Sequence, residues 1–165
     1  MTSPSAAWTD LGEGVLVRQS RAYRMNSVVL AREGNALVID AGVLPSELDD
    51  IAARVSALAP RFEQVTLAFT HPHWDHVLGR PWWPQAGTVG HAGLGAELRR
   101  DAGAILAEAT EHATRFGETW SQGFQPFEPD LVVKDGSVRS SDERATVLGP
   151  WYTAPPKRKA AESFP

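Results

Sequence analysis

Apolar residues come in short runs along the first third of the chain, then at helical spacing in two longer segments. Val15-Leu16-Val17 is a brief strand-like run, and Asn26 to Arg32 carries Val28, Val29 and Leu30. Glu33-Gly34-Asn35 has turn chemistry, and Ala36 to Asp40 follows as a second apolar run. Two such runs around a short glycine-containing loop predict a β-hairpin. Pro45-Ser46-Glu47 has the form of a helix start, and Leu48, Ile51, Ala52, Val55, Leu58 and Ala59 then share one helical face until Pro60. Val65 to Phe69 is nearly all apolar and reads as a buried strand. Pro81-Trp82-Trp83-Pro84 predicts a loop and Thr88-Val89 a short strand. Leu94, Leu98, Ala102, Ile105, Leu106, Ala109, Ala113 and Phe116 line one face of a long helix that Gly117 would end. Leu131-Val132-Val133 and Ala145 to Leu148 are expected strands, with Lys134-Asp135-Gly136-Ser137 turning between them.

Helices alternating with strands argue for an α/β or mixed layered architecture. From Gly149 the character changes. Residues 149–165 hold four prolines and the run Lys157-Arg158-Lys159, with no apolar period. The expected organisation is one domain over residues 1–148 and a disordered tail over 149–165.

Composition narrows the chemistry. A net charge of −4 gives no electrostatic case for nucleic acid. There is no cysteine, so any metal must be held by His, Asp, Glu and water. Met1 to Asp10 lacks a basic region followed by an apolar stretch, and no run is long enough to span a membrane. A cytoplasmic protein without membrane partners is the expectation.

The sharpest feature is His71-Pro72-His73-Trp74-Asp75-His76, which begins two residues after an apolar strand. A loop leaving a rigid strand can turn His71, His73, Asp75 and His76 toward one pocket. Imidazole and carboxylate without thiolate suit zinc first, with iron or manganese also compatible. An isolated His-x-His is weak evidence, but this density is not.

Thr70-His71-Pro72-His73-Trp74-Asp75-His76 resembles the His-x-His-x-Asp-His signature of the metallo-β-lactamase-fold superfamily. The early hairpin, Asp40-Ala41-Gly42 at its end, one helix and the motif-bearing strand extend that resemblance from about residue 12 to residue 148. The resemblance implies the N-terminal portion of an αββα sandwich with metals at one edge, between two sheets. It implies that His71 and His73 hold a first ion and Asp75 and His76 a second, with Asp75 orienting an attacking water. Asp40 matches a supporting acid, although a strand-ending Asp has the same appearance. The implied activity is metal-assisted hydrolysis of a small ester, lactone, thioester or amide. A non-catalytic metal-binding remnant or interaction module, and an iron-dependent oxidoreductase, are the competing readings.

The chain departs from the family's pattern downstream. A third His, a bridging Asp and a last His are expected there. Of the two remaining histidines, His91 is expected in a turn and His112 on a helix surface, and Asp130, Asp135 and Asp142 lack a matching context. Reduced activity is therefore expected. So is an incomplete sandwich, from a truncated or frame-shifted reading frame or from a short protein that completes its core as a homodimer. Trp82, Trp83, Trp120 and Phe124 are expected in core or interface positions.

Overall fold

A computed structural model describes residues 8–58, 64–134 and 137–140. Its strands are β1 (Trp8–Gly12), β2 (Val15–Gln19), β3 (Asn26–Arg32), β4 (Asn35–Ile39), β5 (Gln64–Ala68), β6 (Gly87–His91), β7 (Leu131–Lys134) and β8 (Ser137–Ser140). Helix α1 (Pro45–Leu58) joins β4 to β5, and α2 (Leu94–Arg115) follows β6. All eight strands form one sheet in chain order. Pairing is antiparallel from β1 to β4, parallel from β4 to β7, and antiparallel again between β7 and β8.

The hairpin and both helices fall where periodicity placed them. Strand β1 was not anticipated, because its residues are largely solvent-exposed and so carry no apolar alternation. The predicted loop at Pro81-Trp82-Trp83-Pro84 contains a 3-10 turn, Arg80–Trp82. The partner of β7 is β8; the strand expected at 145–148 and the tail at 149–165 lie outside the described residues, as does Pro60.

Register explains the core. Leu16, Val29, Val38, Leu67 and Thr88 form one cross-strand row, and every member is buried. Beside it α1 presents Leu48, Ile51 and Val55, each at most 2% exposed. Full burial of such side chains contributes about 1.5–3 kcal/mol apiece. The next row, Val17, Val28, Ile39, Ala68, Val89 and Leu131, lies on the opposite face. It is as apolar as the first, yet Val17, Val28, Ile39 and Ala68 are only half-buried. Among the described residues every strand belongs to this one sheet, so the sandwich's second sheet is not among them.

Polar groups tie the first turn of α1 to distant elements. Pro45 at the helix start has no N–H to satisfy, which suits it to that position. The Glu47 carboxylate accepts from Val43 N (3.2 Å) and Leu44 N (3.3 Å), and from Arg21 N at 2.9 Å. The neighbouring donor, Ser46 N, is taken at 2.8 Å by Glu118, which lies beyond α2 and also binds the Ser46 hydroxyl and Arg21. Glu118 thus supplies from outside the helix what a capping side chain would supply from within it.

Burial of Glu118 raises its pKa, but the hydrogen bonds from Ser46 and then the hydrogen bond and charge of Arg21 outweigh this and hold it below the usual glutamate range. A depressed carboxylate stabilises the fold above its unfolded pKa and loses that contribution as pH falls through its folded pKa. The Glu118→Gln variant should therefore be less stable than the wild type at pH 7. The gap should close as pH falls through and below the usual carboxylate range, and urea midpoints at neutral and acid pH measure it. A gap that stays constant with pH would show that the carboxylate's charge does not matter.

Candidate metal centre

In the parallel part of the sheet, β4, β5 and β6 end along one edge. Open α/β sheets bind ligands beyond this carboxyl edge. Asp40 follows β4, the His71–His76 turn follows β5, and His91 is the last residue of β6. Backbone bonds fix the edge: Asp40 N donates to Ala68 O (3.0 Å) and Phe69 N to Val89 O (2.9 Å).

Trp74–His76 forms a single 3-10 turn, with His76 N bonded to His73 O at 3.0 Å. Hydrophobic burial anchors it. Trp74 is 6% exposed, and Val77 and Leu78 are fully buried just after it. Gly79 allows the close approach of Ala41, since a side chain there would meet the Ala41 methyl at 2.7 Å. The apolar residues point in, which leaves His71 and His73 exposed and Asp75 and His76 half-buried.

The four sequence-nominated side chains sit together. The His71 and His76 rings are 3.9 Å apart, and the His71 and His73 rings lie nearly parallel at 6.0 Å. His73 Nδ1 contacts Asp75 Oδ1 at 2.6 Å, and His76 Nε2 is 3.7 Å from Asp75 Oδ2. His71 Nδ1 is held by the Thr70 hydroxyl at 3.0 Å. Those contacts engage Nδ1 and leave Nε2 as the ring nitrogen of His71 and His73 available to a ligand.

Asp40 is buried and does more than end a strand. It accepts from Thr70 N at 2.9 Å and from the Thr70 hydroxyl at 2.6 Å. Its backbone is left-handed, with φ of 49°, a conformation that Asp tolerates better than most residues. Its Oδ2 also lies 2.9 Å from His76 Nδ1, so that this buried nitrogen is paired with the Asp40 carboxylate, though with poor hydrogen-bond alignment.

The two flanking histidines respond oppositely. Lost solvent, and then the adjacent His76 ring, lower the pKa of His71 and favour its neutral, metal-competent form. Burial acts against a charge on His76, but Asp40 and Asp75 outweigh burial and raise its pKa.

Whether these residues suit a metal ion turns on their donors. Three imidazoles and one carboxylate in a single turn, with no cysteine in the chain, match the nitrogen and oxygen ligands of zinc. His76 Nδ1, buried 2.9 Å from Asp40 Oδ2, matches the carboxylate support that metal-bound histidines use. Among the described residues no three such groups already converge on one point. Coordination at this turn therefore calls for these side chains to re-orient.

The remaining histidines are occupied elsewhere. His91, expected in a turn, ends β6, where its Nδ1 accepts from Gly93 N at 3.1 Å. His112, expected on a helix surface, is half-buried instead, stacked on the Trp74 indole and hydrogen-bonded to Tyr23. Nothing in the local sequence signals that contact. Trp120 and Phe124 are buried, and Trp82 and Trp83 pack against the core, as expected. The Trp82 indole also donates to Asp49 at 2.7 Å.

The sequence pattern of the Metallo-beta-lactamase superfamily matches residues 22–156. Among solved structures, the metallo beta lactamase from Erythrobacter litoralis, with beta mercaptoethanol in its active site, is 17% identical with a TM-score of 0.49, covering 91% of this chain and 60% of its own. The enzyme from Hirschia baltica is 14% identical with a TM-score of 0.45, covering 82% and 59%. The DIM-1 metallo-beta-lactamase exposed to ceftazidime is 16% identical with a TM-score of 0.48, covering 61% and 49%. The chain therefore spans about half to three-fifths of the length of these solved relatives. No curated protein sequence matches it.

Proposed function

This chain belongs to the metallo-beta-lactamase superfamily, and on that premise we propose that it is a zinc-dependent hydrolase built on His71, His73, Asp75 and His76. The observation that carries the reading is the gathering of these four donors in one anchored turn at the sheet edge, with Asp40 beside His76. His71 and His73 would hold one ion, and Asp75 and His76 an adjacent one. Bound zinc supplies Lewis acidity toward a carbonyl and lowers the pKa of water to about 7. Asp75 contacts both His73 and His76, which supports the reading that its carboxylate would orient the attacking water. Asp40 positions His76 from behind and fixes the turn through Thr70. The substrate class is a small ester, lactone, thioester or amide; β-lactams are one case of the last, and the fold does not select among them.

One observation favours a second reading, zinc binding without turnover. A catalytic zinc typically keeps three protein ligands and an open position. Here each pair supplies two, and His91 and His112 are engaged elsewhere. The test is hydrolysis of generic esters, lactones, thioesters and amides by the zinc-loaded chain, with Asp75→Ala as control. The expected result is slow turnover that a chelator removes and Asp75→Ala lowers by about 100-fold or more. Stoichiometric zinc with no turnover on any substrate would establish the second reading. Turnover that survives Asp75→Ala would place the chemistry elsewhere.

No helix among the described residues is long and apolar enough to cross a membrane.

A further inference from the structure

We infer that His112 on α2 and Tyr23 in the β2–β3 loop are positioning residues for the His71–His76 turn, acting through Trp74. This rests on the reading of that turn as a metal site. Trp74 stands between His73 and Asp75 and is buried at the start of the 3-10 turn, so the packing of its indole bears on how that turn presents the four side chains.

Two rings hold that indole, and they also hold each other. The His112 ring stacks on it with centroids 4.6 Å apart and planes 8° from parallel. The Tyr23 ring meets it edge-on at 6.1 Å. The Tyr23 hydroxyl bonds to His112 Nδ1, and the two rings touch edge-to-face at 5.1 Å. The three rings thus form a closed set in which each orients the other two, as the quadrupoles of offset and edge-on aromatic pairs favour.

The surrounding chain is shaped to deliver Tyr23. Both Tyr23 and Arg24 adopt left-handed backbone, with φ of 59° and 58°. Bulky side chains rarely do so, and such conformations persist only where neighbours enforce them. Here Ser20 N bonds to Met25 O at 2.7 Å, Ala22 N to the Ser20 hydroxyl at 2.9 Å, and Arg21 N to buried Glu47 at 2.9 Å. Tyr23 nevertheless remains 51% exposed. Burial of its ring therefore does not account for the left-handed backbone, which the turn's hydrogen bonds hold and which brings the ring against Trp74 and His112. Phe116 adds a third wall to Tyr23, with ring centroids 6.0 Å apart.

Metal binding reads the effect directly. Removing a partner that orients a metal ligand costs 10–100-fold in affinity. Zinc affinity, measured by chelator competition, should fall about 10-fold in His112→Ala, with the melting temperature within a few degrees of wild type. His112→Phe keeps a stackable ring and should recover most of that loss. The d–d spectrum of the cobalt-substituted protein should shift in His112→Ala and return toward wild type in His112→Phe, a signature that a purely structural role would not produce. Should His112→Ala fail to fold, Tyr23→Asn decides the matter. Asn tolerates φ near 59° and lacks the ring, so this variant should fold at least as well and bind zinc several-fold more weakly. Unchanged zinc affinity and cobalt spectrum in the folded variants would overturn the inference while leaving the metal site in place. A His112→Phe loss equal to that of His112→Ala would overturn it too. A wild-type chain that binds no zinc would overturn both the inference and the reading beneath it.

Discussion

Replacing His71 and His73 together by Ala is expected to abolish stoichiometric zinc binding while leaving the fold intact. Both rings are exposed, and neither belongs to the hydrophobic core. Their loss should therefore shift the melting temperature by no more than a degree or two, as surface changes do. Their effect on metal should be much larger. Groups that merely orient a ligand are worth 10–100-fold, so two ligands should exceed about 100-fold. Asp75 and His76 alone would hold an ion too weakly to survive desalting. Native mass spectrometry of wild type and double variant after zinc loading and buffer exchange is the direct measurement. A double variant with wild-type zinc content would show that the ion is bound by other residues.

Glu47→Ala should produce the largest loss of stability. Glu47 is 1% exposed and pairs at 3.3 Å with Arg18, itself 5% exposed. The same carboxylate satisfies the backbone of Arg21, Val43 and Leu44. Truncation removes one partner of a buried ion pair and leaves donors unpaired, a combination that costs about 3–5 kcal/mol. That is a large share of the ~5–15 kcal/mol that holds a domain together. Asp50 is the contrast. It bonds the same guanidinium at 2.7 Å, but its side chain is 42% exposed. Water can replace it, so Asp50→Asn should cost less than about 1 kcal/mol. Urea unfolding of the two variants separates the cases, and equal midpoints would mean that burial does not set the cost.

Glu47 also illustrates where sequence reading stops. Its position near the start of a helix was readable from Pro45-Ser46-Glu47 and the apolar positions that follow. Its pairing with Arg18 was not, because the residues meet only when β2 packs beneath α1. Glu118 is similar: a polar residue after a helix gives no sign that it closes the first turn of another.

Local elements and the candidate chemistry were legible in the order of residues alone. Periodicity is a property of neighbouring residues, so the hairpin of β3 and β4, both helices and the buried run at β5 could be read from it. The four donors between His71 and His76 are likewise contiguous, so their proximity needed no fold to establish it. Tertiary structure decided the rest. It put Asp40 beside His76 by pairing β4 with β5 in parallel, converting an ambiguous strand-ending acid into a buried partner of the turn. It moved His112 from an expected helix surface onto Trp74, against a tyrosine far away in sequence. It also left Val17, Val28, Ile39 and Ala68 half-buried, although they are as apolar as the residues of the covered face. Alternation along a strand shows that a residue prefers burial; only the packing of other elements determines which face receives it.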